Sequence, residues 1–448
     1  MNEVESISTT SEKKFGIRPL NYIESVEIEG FWGRKNVSLQ LNPDLNFLIG
    51  PNGSGKTTII NLVSAVLRAD IPALYSVQFD KVTIKLKTVG ANRKPIIEVA
   101  KVVEPKMGNF ELIYTVKEKA SEKGTTYGVE GPYDERIYHD LRYTRSRRYR
   151  EAGARLSGIL SDLVEVNWLS IHRASAELER RNRRDDSYES SIDHKLQDIS
   201  RAFSNFFSLL NSKAEAESKN FQEHVFLSLL EQPHSDADVL AQVHVEAENK
   251  QSVVSVLKDL GVSNAKATRS VNAHYARTAE ARKNLKASLS GLSLKDAISL
   301  SDAARVSEML TEWRDLEEQR SAIFQPRIQF EDIINELFSG KEVHFDERNT
   351  PMVHLETGEI VGIEVLSSGE KQLFIILGEA LLQEERPVVF ISDEPELSLH
   401  VSWQSALFGH IRGLNSSCQI ISATHSPDIV GSFQDRVIKI ENCIKDVH

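Results

Sequence analysis

Cysteine is nearly absent. The 448 residues hold two, Cys418 and Cys443. They fit no metal-binding spacing, and such scarcity suits a reducing cytosol. No run approaches the ~18 consecutive apolar residues that a membrane span requires. The opening segment MNEVESISTTSEKK is polar and mixed in charge, without the apolar stretch of a signal peptide. A cytoplasmic protein without a membrane partner is therefore expected. Basic charge is not in excess either. Lys and Arg total 54 against 65 Asp and Glu, a net charge of −11. This argues against a surface coated in basic residues and leaves room for a local basic patch. Between about 189 and 325 proline is almost missing, with Pro233 alone in that stretch.

What remains is ordinary globular composition, 40% hydrophobic and 27% charged. At about 150 residues per domain the length allows two or three domains. Cores of that size need no disulfide or metal staple. Residues 1–18 read as a tail. Ile23, Val26 and Ile28 interleave with polar residues, as do Val37, Leu39 and Leu41, which predicts half-buried strands. The apolar run Leu45–Ile49 ends at a glycine and suits a buried strand. A helix is expected from Gly55 to Ala69, and strands at 75–88, 95–104 and 110–117. Residues 120–160 read as irregular and basic, and Val164–Ile171 as a further strand.

The period then changes. Leu196, Ile199, Phe203, Phe206 and Leu210 are spaced 3, 4, 3 and 4, the seam of a heptad helix. Gly261 and Gly291 mark breaks, and Pro326 is expected to end the helical stretch. The remainder returns to an α/β pattern. A helix is predicted at 331–338 and another at 369–385. Strands are predicted near 342–346, 360–365, 388–391, 418–422 and 436–440. The predicted organisation is a tail (1–18), an N-terminal lobe (19–173), a helical insert (174–326) and a C-terminal lobe (327–448).

The strongest chemical signal is Gly50-Pro51-Asn52-Gly53-Ser54-Gly55-Lys56-Thr57, directly after the apolar strand. It fits G-x-x-x-x-G-K-[ST]. Glycines let the backbone turn so that its N–H groups face inward, and the following helix N-terminus favours anions. Lys56 would reach the β- and γ-phosphates of ATP, and the Thr57 hydroxyl would ligate Mg2+. Thr58 completes the candidate phosphate contacts. Four apolar residues, Val388–Ile391, lead to Asp393 and Glu394, carboxylates at a strand's C-terminal end, where α/β sheets place their ligands. Asp393 would hold the Mg2+ through water, and Glu394 would deprotonate the attacking water. His425 follows the next strand and could sense the γ-phosphate.

Arg142, Arg145, Arg147, Arg148, Arg150 and Arg155 crowd together with Tyr143 and Tyr149, and Arg180, Arg181, Arg183 and Arg184 form a second cluster. Three readings stay open: a nucleic-acid grip, an acidic protein partner, or a solvated loop paired with nearby acids. The heptad seam likewise reads as core or as a self-association surface.

Together with Leu366-Ser367-Ser368-Gly369-Glu370, these motifs resemble the ABC-type ATPases. The order matches too: phosphate loop, helical insert, signature, Asp-Glu pair, switch histidine. The large insert and the segment after the signature are similar to the SMC/RecF-like branch. Asp-Glu-Pro-Glu-Leu-Ser-Leu-His (393–400) resembles the OLD-like ATPases and the small ATPases of anti-phage systems such as Septu, retrons and PARIS. The resemblance implies an α/β P-loop head, an ATPase with ATP and Mg2+, and a homodimer or higher oligomer formed through heads packed head to tail. Ser367, Ser368, Gly369 and Glu370 of one head would then contact nucleotide bound to the other. It also implies a conformational switch acting on a separate effector, with a DNA-binding repair ATPase as the alternative. OLD-like enzymes carry a C-terminal nuclease module, for which the 23 residues after His425 leave no room, so no nuclease activity is expected here. Two departures stand out. Glu370 replaces the signature glutamine, and His400 stands where many members carry an aspartate. Arg173 is a candidate for the coupling position at the entry to the insert.

Overall fold

The computed structural model describes residues 21–103, 110–119, 121–130, 147–168, 191–230, 248–287, 293–397 and 399–446. The expected tail, Arg142, Arg145, Arg173, the second arginine cluster, Pro233 and Gly291 lie outside them. The chain runs β1 (Asn21–Phe31), β2 (Lys35–Gln40), β3 (Leu45–Ile49), α1 (Lys56–Arg68), α2 (Ile71–Ser76), β4 (Lys81–Thr88), β5 (Ile96–Val103), β6 (Phe110–Lys117), β7 (Thr125–Glu130), α3 (Arg147–Leu163) and β8 (Glu165–Trp168). Helices α4 (Ser191–Leu230), α5 (Glu248–Asp259), α6 (Asn264–Ala287) and α7 (Leu294–Leu337) follow. Then come β9 (Lys341–Phe345), β10 (Pro351–Leu355), β11 (Ile360–Gly362), α8 (Ser368–Leu381), β12 (Val388–Asp393), α9 (Val401–Gln404), α10 (Leu407–Leu414), β13 (Gln419–Ala423), α11 (Pro427–Val430), β14 (Val437–Lys439) and β15 (Ile444–Asp446). Among the described residues no helix is long and apolar enough to cross a membrane.

Two compact units divide the chain. The first is Met1–Arg201, Ile333–His344 and Pro351–His448. It contains a parallel sheet in the order β14-β3-β13-β12-β8. Its central strands are apolar along their length because both faces are covered: all of β13 and the first five residues of β12 are buried. A second sheet, antiparallel at each resolved pairing, has the order β15-β2-β1-β4-β5-β6-β7. A register shift between Ile23 and Ser25 interrupts the β1–β4 pairing. Such a bulge turns the following side chains over, which is why Ile23 and Val26, three apart, are both fully buried. The buried Gln419 joins the sheets. Its Nε2 donates to the carbonyls of Ile23 (2.9 Å) and Asn42 (2.7 Å), and its Oε1 accepts from the Ile23 N–H at 2.8 Å. The Cys418 thiol is buried, which pushes its pKa up to about 12 and leaves it inert.

The second unit is Ala202–Asp332 with Phe345–Thr350. Phe203 and Phe207 stack with ring centroids 5.5 Å apart, and Phe345 meets them edge-on at 5.4 and 4.6 Å. The Arg327 guanidinium lies 5.4 Å from the Phe207 ring centre and 5.2 Å from that of Phe345, close enough for cation–π attraction. All five residues of the predicted heptad seam are buried within the chain, so the seam is core rather than an open pairing surface.

Several expectations change. Pro326 does not end the helix but lies inside α7. An internal proline costs about 3 kcal/mol. Burial of Leu310, Trp313 and Leu316 before it and Phe330 after it outweighs that cost. The first turns of α4 belong to the first unit. There Asp193 accepts from Lys371 at 2.8 Å and Lys195 pairs with Glu379. Residues 71–76 are a helix capped by Asp70, whose carboxylate accepts from the Ala73 N–H. Among the described residues of 120–160, 125–130 form β7 and 147–160 belong to α3 rather than irregular chain. Gly153 and Gly158 lower the helix propensity of α3, and burial of Leu156 and Leu160, one turn apart, carries it. Strand β10 is also additional to those expected.

Phe203→Ala would open a cavity in the second unit's aromatic cluster and should destabilise it by about 3–5 kcal/mol. Urea unfolding followed by circular dichroism should then show an earlier helical transition.

Candidate nucleotide site

The buried strand β3 delivers Gly50 to the edge of the parallel sheet, and α1 begins at Lys56. Between them Gly53 and Gly55 adopt φ of +77° and +96°, conformations that side chains disfavour. A Cβ on Gly55 would also lie 3.0 Å from the Trp32 ring and 3.2 Å from the Phe31 ring. The glycine is thus needed twice, for its torsion and for the close approach. No side chain caps the N-terminus of α1. Its first N–H groups therefore await an acceptor.

Lys56 is 5% exposed. Its ammonium donates to the carbonyls of Gly50 (2.8 Å) and Pro51 (3.1 Å). Burial lowers its pKa, while the nearby Glu394 and Asp393 charges pull it back up. A buried cation held by neutral oxygens is poised for an anion. Ser54 Oγ, also buried, has no hydrogen-bond partner among the described residues. Cation, orphan hydroxyl and uncapped helix start together fit a polyphosphate. The Thr57 hydroxyl donates to Asp393 Oδ1 at 3.0 Å. That pairing of a hydroxyl with a carboxylate, beside a phosphate cradle, is a donor set that suits Mg2+, which takes oxygen ligands and keeps several waters. Thr58, the next residue of α1, is half-buried.

Strand β12 brings Asp393 and Glu394 to the same edge. Glu394 has φ +46°, a conformation costing a residue with a side chain of order 1 kcal/mol. Its N–H donates to the Ala423 carbonyl at 2.8 Å and holds it there. His425 follows β13, with Nε2 3.9 Å from Glu394 Oε1. The structure thus brings Lys56, Thr57, Asp393, Glu394 and His425 together.

The signature segment has a second structural identity. Ser367 caps α8, and its Oγ accepts from the Glu370 N–H while Glu370 accepts from the Ser367 N–H at 2.7 Å, a reciprocal capping box. Lys341 grips both Glu370 oxygens at 2.7 and 3.0 Å. Burial alone would raise the Glu370 pKa. The hydrogen bonds from Lys341 and Ser367 outweigh it and hold the carboxyl below its usual range. Gly369 and Glu370 are buried, and Ser367 and Ser368 are exposed at the helix start. His400 caps α9 through Nδ1, which accepts from the Ser402 N–H. Arg147, Arg148 and Arg150 fall in the first turn of α3.

Glu396 and Lys341 escaped the sequence reading. Glu396 Oε1 accepts from Thr424 Oγ1 (2.5 Å), the His425 N–H (3.1 Å) and the Ser426 N–H (3.2 Å). The repeated acid in Asp393-Glu394-Pro395-Glu396 was the available signal. Lys341, 29 residues from its partner, gave none.

Lys56→Ala should weaken ATP binding at least a hundredfold, read by calorimetric titration. Glu370→Ala removes the box and the ion pair and should cost about 1–2 kcal/mol of stability. Because the folded-state pKa is depressed, this contribution is present above the unfolded value near 4.5 and fades as pH falls through the folded value. Melting curves of wild type and Glu370→Ala should therefore draw together as pH falls below 4.5.

The sequence profile of a family described as "AAA ATPase domain" matches residues 22–430. No curated protein matches the chain. Similar solved structures include the Smc head domain of Pyrococcus furiosus with an extended coiled coil, bound to the C-terminal domain of ScpA. It is 14% identical, over 95% of this chain and 96% of that one, with a TM-score of 0.40. A SmcHead bound to the C-winged helix domain of ScpA is 13% identical over 95% and 97% of the two chains, with a TM-score of 0.36. The recombination mediator protein RecF with ATPrS is 11% identical over 94% and 99%, with a TM-score of 0.31. A phosphate loop between a buried parallel strand and a helix, acids at the neighbouring strand's end and a matched span of 22–430 agree: this chain is an α/β P-loop ATPase with a helical insertion and belongs to the AAA ATPase domain family.

Proposed function

We propose that the chain hydrolyses ATP with Mg2+ and uses the cycle as a conformational switch on a separate effector. The observation that carries this reading is the meeting of Lys56, the Thr57–Asp393 pair and the Glu394–His425 pair at one edge of the parallel sheet. Lys56 and the N–H groups opening α1 bind the polyphosphate, with Gly50–Thr58 forming its cradle. Thr57 and Asp393 hold Mg2+, which when bound neutralises phosphate charge. Glu394 accepts a proton from the attacking water, and its backbone bond to Ala423 keeps the carboxylate in place. His425, beside Glu394, responds to the terminal phosphate.

Ser367 and Ser368, exposed at the N-terminus of α8, are suited to reach nucleotide on a second head, which makes a homodimer or higher oligomer the working form. The Asp-Glu-Pro-Glu variant of the strand end supports a place among anti-phage ATPases whose output is another protein. The run Arg142, Arg145, Arg147, Arg148 and Arg150 supports a second reading, a DNA-binding ATPase of repair or recombination.

Glu394→Gln should retain ATP binding and lose at least about 100-fold in kcat, the usual scale of general-base loss; rapid turnover by this variant excludes Glu394 as the base. Steady-state turnover of the wild type, with and without duplex DNA at fixed salt, separates the two roles. Turnover indifferent to DNA fits the effector switch. Stimulation that Arg147→Glu with Arg148→Glu abolishes fits the DNA reading.

A further inference from the structure

Glu396 has no part in the nucleotide chemistry described above, yet it is among the most heavily bonded side chains near it. One carboxylate oxygen collects three donors from three consecutive residues: the Thr424 hydroxyl at 2.5 Å, the His425 N–H at 3.1 Å and the Ser426 N–H at 3.2 Å. Successive N–H groups converging on one oxygen form an anion nest, here filled by a side chain of the same chain. The other oxygen, Oε2, is buried and has no partner among the described residues. The carboxylate is thus committed to the 424–426 turn.

Both ends of this bridge are fixed. Glu396 sits two residues after Glu394, whose N–H is tied to Ala423. The intervening Pro395 carbonyl accepts from Gln372 Nε2 at 3.3 Å. On the far side the Thr424 N–H donates to the Leu48 carbonyl at 3.3 Å, and Ser426 Oγ donates to Gln404 Oε1 at 2.8 Å. Among the described residues His425 has no such anchor for its ring. Its Nε2 stands 3.9 Å from Glu394, and its backbone N–H donates to Glu396.

We infer that Glu396 is a positioning residue: its carboxylate fixes the backbone of the turn that carries His425, and thereby the place of the imidazole beside Glu394. This rests on the proposed roles of Glu394 and His425. The bridge uses reach rather than charge, since its three donors need an acceptor oxygen at a set distance. Glu396→Gln keeps the reach and an acceptor oxygen. Glu396→Asp keeps the charge and draws the oxygen back by one methylene.

The test is ATP turnover by the full chain with four variants, each checked by melting curve and ATP affinity. Glu396→Asp should lose at least tenfold in kcat with KM within twofold of wild type. Glu396→Gln should lose only about threefold. On a His425→Ala background, Glu396→Asp should cost nothing more, because the group it positions is gone. Glu396→Gln falling as far as Glu396→Asp would overturn the inference, as would an Asp effect that multiplies fully with His425→Ala, or no Asp effect at all. In each of those cases the reading of His425 survives. His425→Ala turning over as fast as wild type would sink that reading and the inference with it.

Discussion

The hydroxyls of Ser392 and Ser422 meet at 2.9 Å between two buried strands, each serine following an apolar run, Val388–Ile391 and Ile420–Ile421. Both serines are fully buried. Each hydroxyl satisfies the other, and a slip of the parallel pairing would leave both without a partner, at roughly 1–3 kcal/mol apiece. The register Ser392 with Ser422 and Asp393 with Ala423 follows. Everything chemical at the sheet edge inherits that register. Asp393 faces Thr57, Glu394 bonds back to Ala423, and Glu396 reaches across to the residues after it. One buried polar pair thus sets the spacing of three acidic groups and a histidine.

Energy is held at this edge in two forms. Glu394 carries a left-handed backbone that a glycine would adopt more easily. Lys56 keeps a buried charge on neutral oxygens. Both are features that a nucleotide site tolerates because the surrounding sheet over-determines them. The signature region shows the opposite economy. Glu370 is closed into a box with Ser367 and clamped by Lys341, so its oxygens are consumed within the chain. The Ser367 hydroxyl accepts from the backbone and still has its own proton to donate outward.

The nucleotide cradle was legible in the sequence because backbone geometry dictates it. Gly53 and Gly55 stand where torsions exclude other residues, and the apolar runs before Gly50 and Asp393 admit only buried strands. Less was legible wherever distant residues decide. The Lys341–Glu370 clamp and the Glu396 nest depend on chain segments meeting in space, and a single acid or base carries no local mark of that. Pro326 misled because its penalty is local and its compensation, Trp313 and Phe330, is tertiary. The bulge after Ile23 was hidden for a different reason: the count of three between Ile23 and Val26 breaks strand alternation and leaves only a blurred pattern. Helix α3 was lost to its glycines.

The Gln419 bridge and the strand order also constrain how the protein is made. Strand β3, which carries the phosphate loop, lies between β13 and β14, both from the far end of the chain. Asn46 and Ile420 are hydrogen-bonded across 374 residues. At translation speeds of ~5–20 residues per second, β3 waits on the order of 20–75 s for its neighbours. Until then both its edges are open, and Ile23 in the second sheet lacks the side chain that ties it to the parallel sheet. A ribosome-bound chain holding the whole phosphate-loop sequence therefore has no finished cradle. Nucleotide capture thus waits until β13 and β14 have paired with β3.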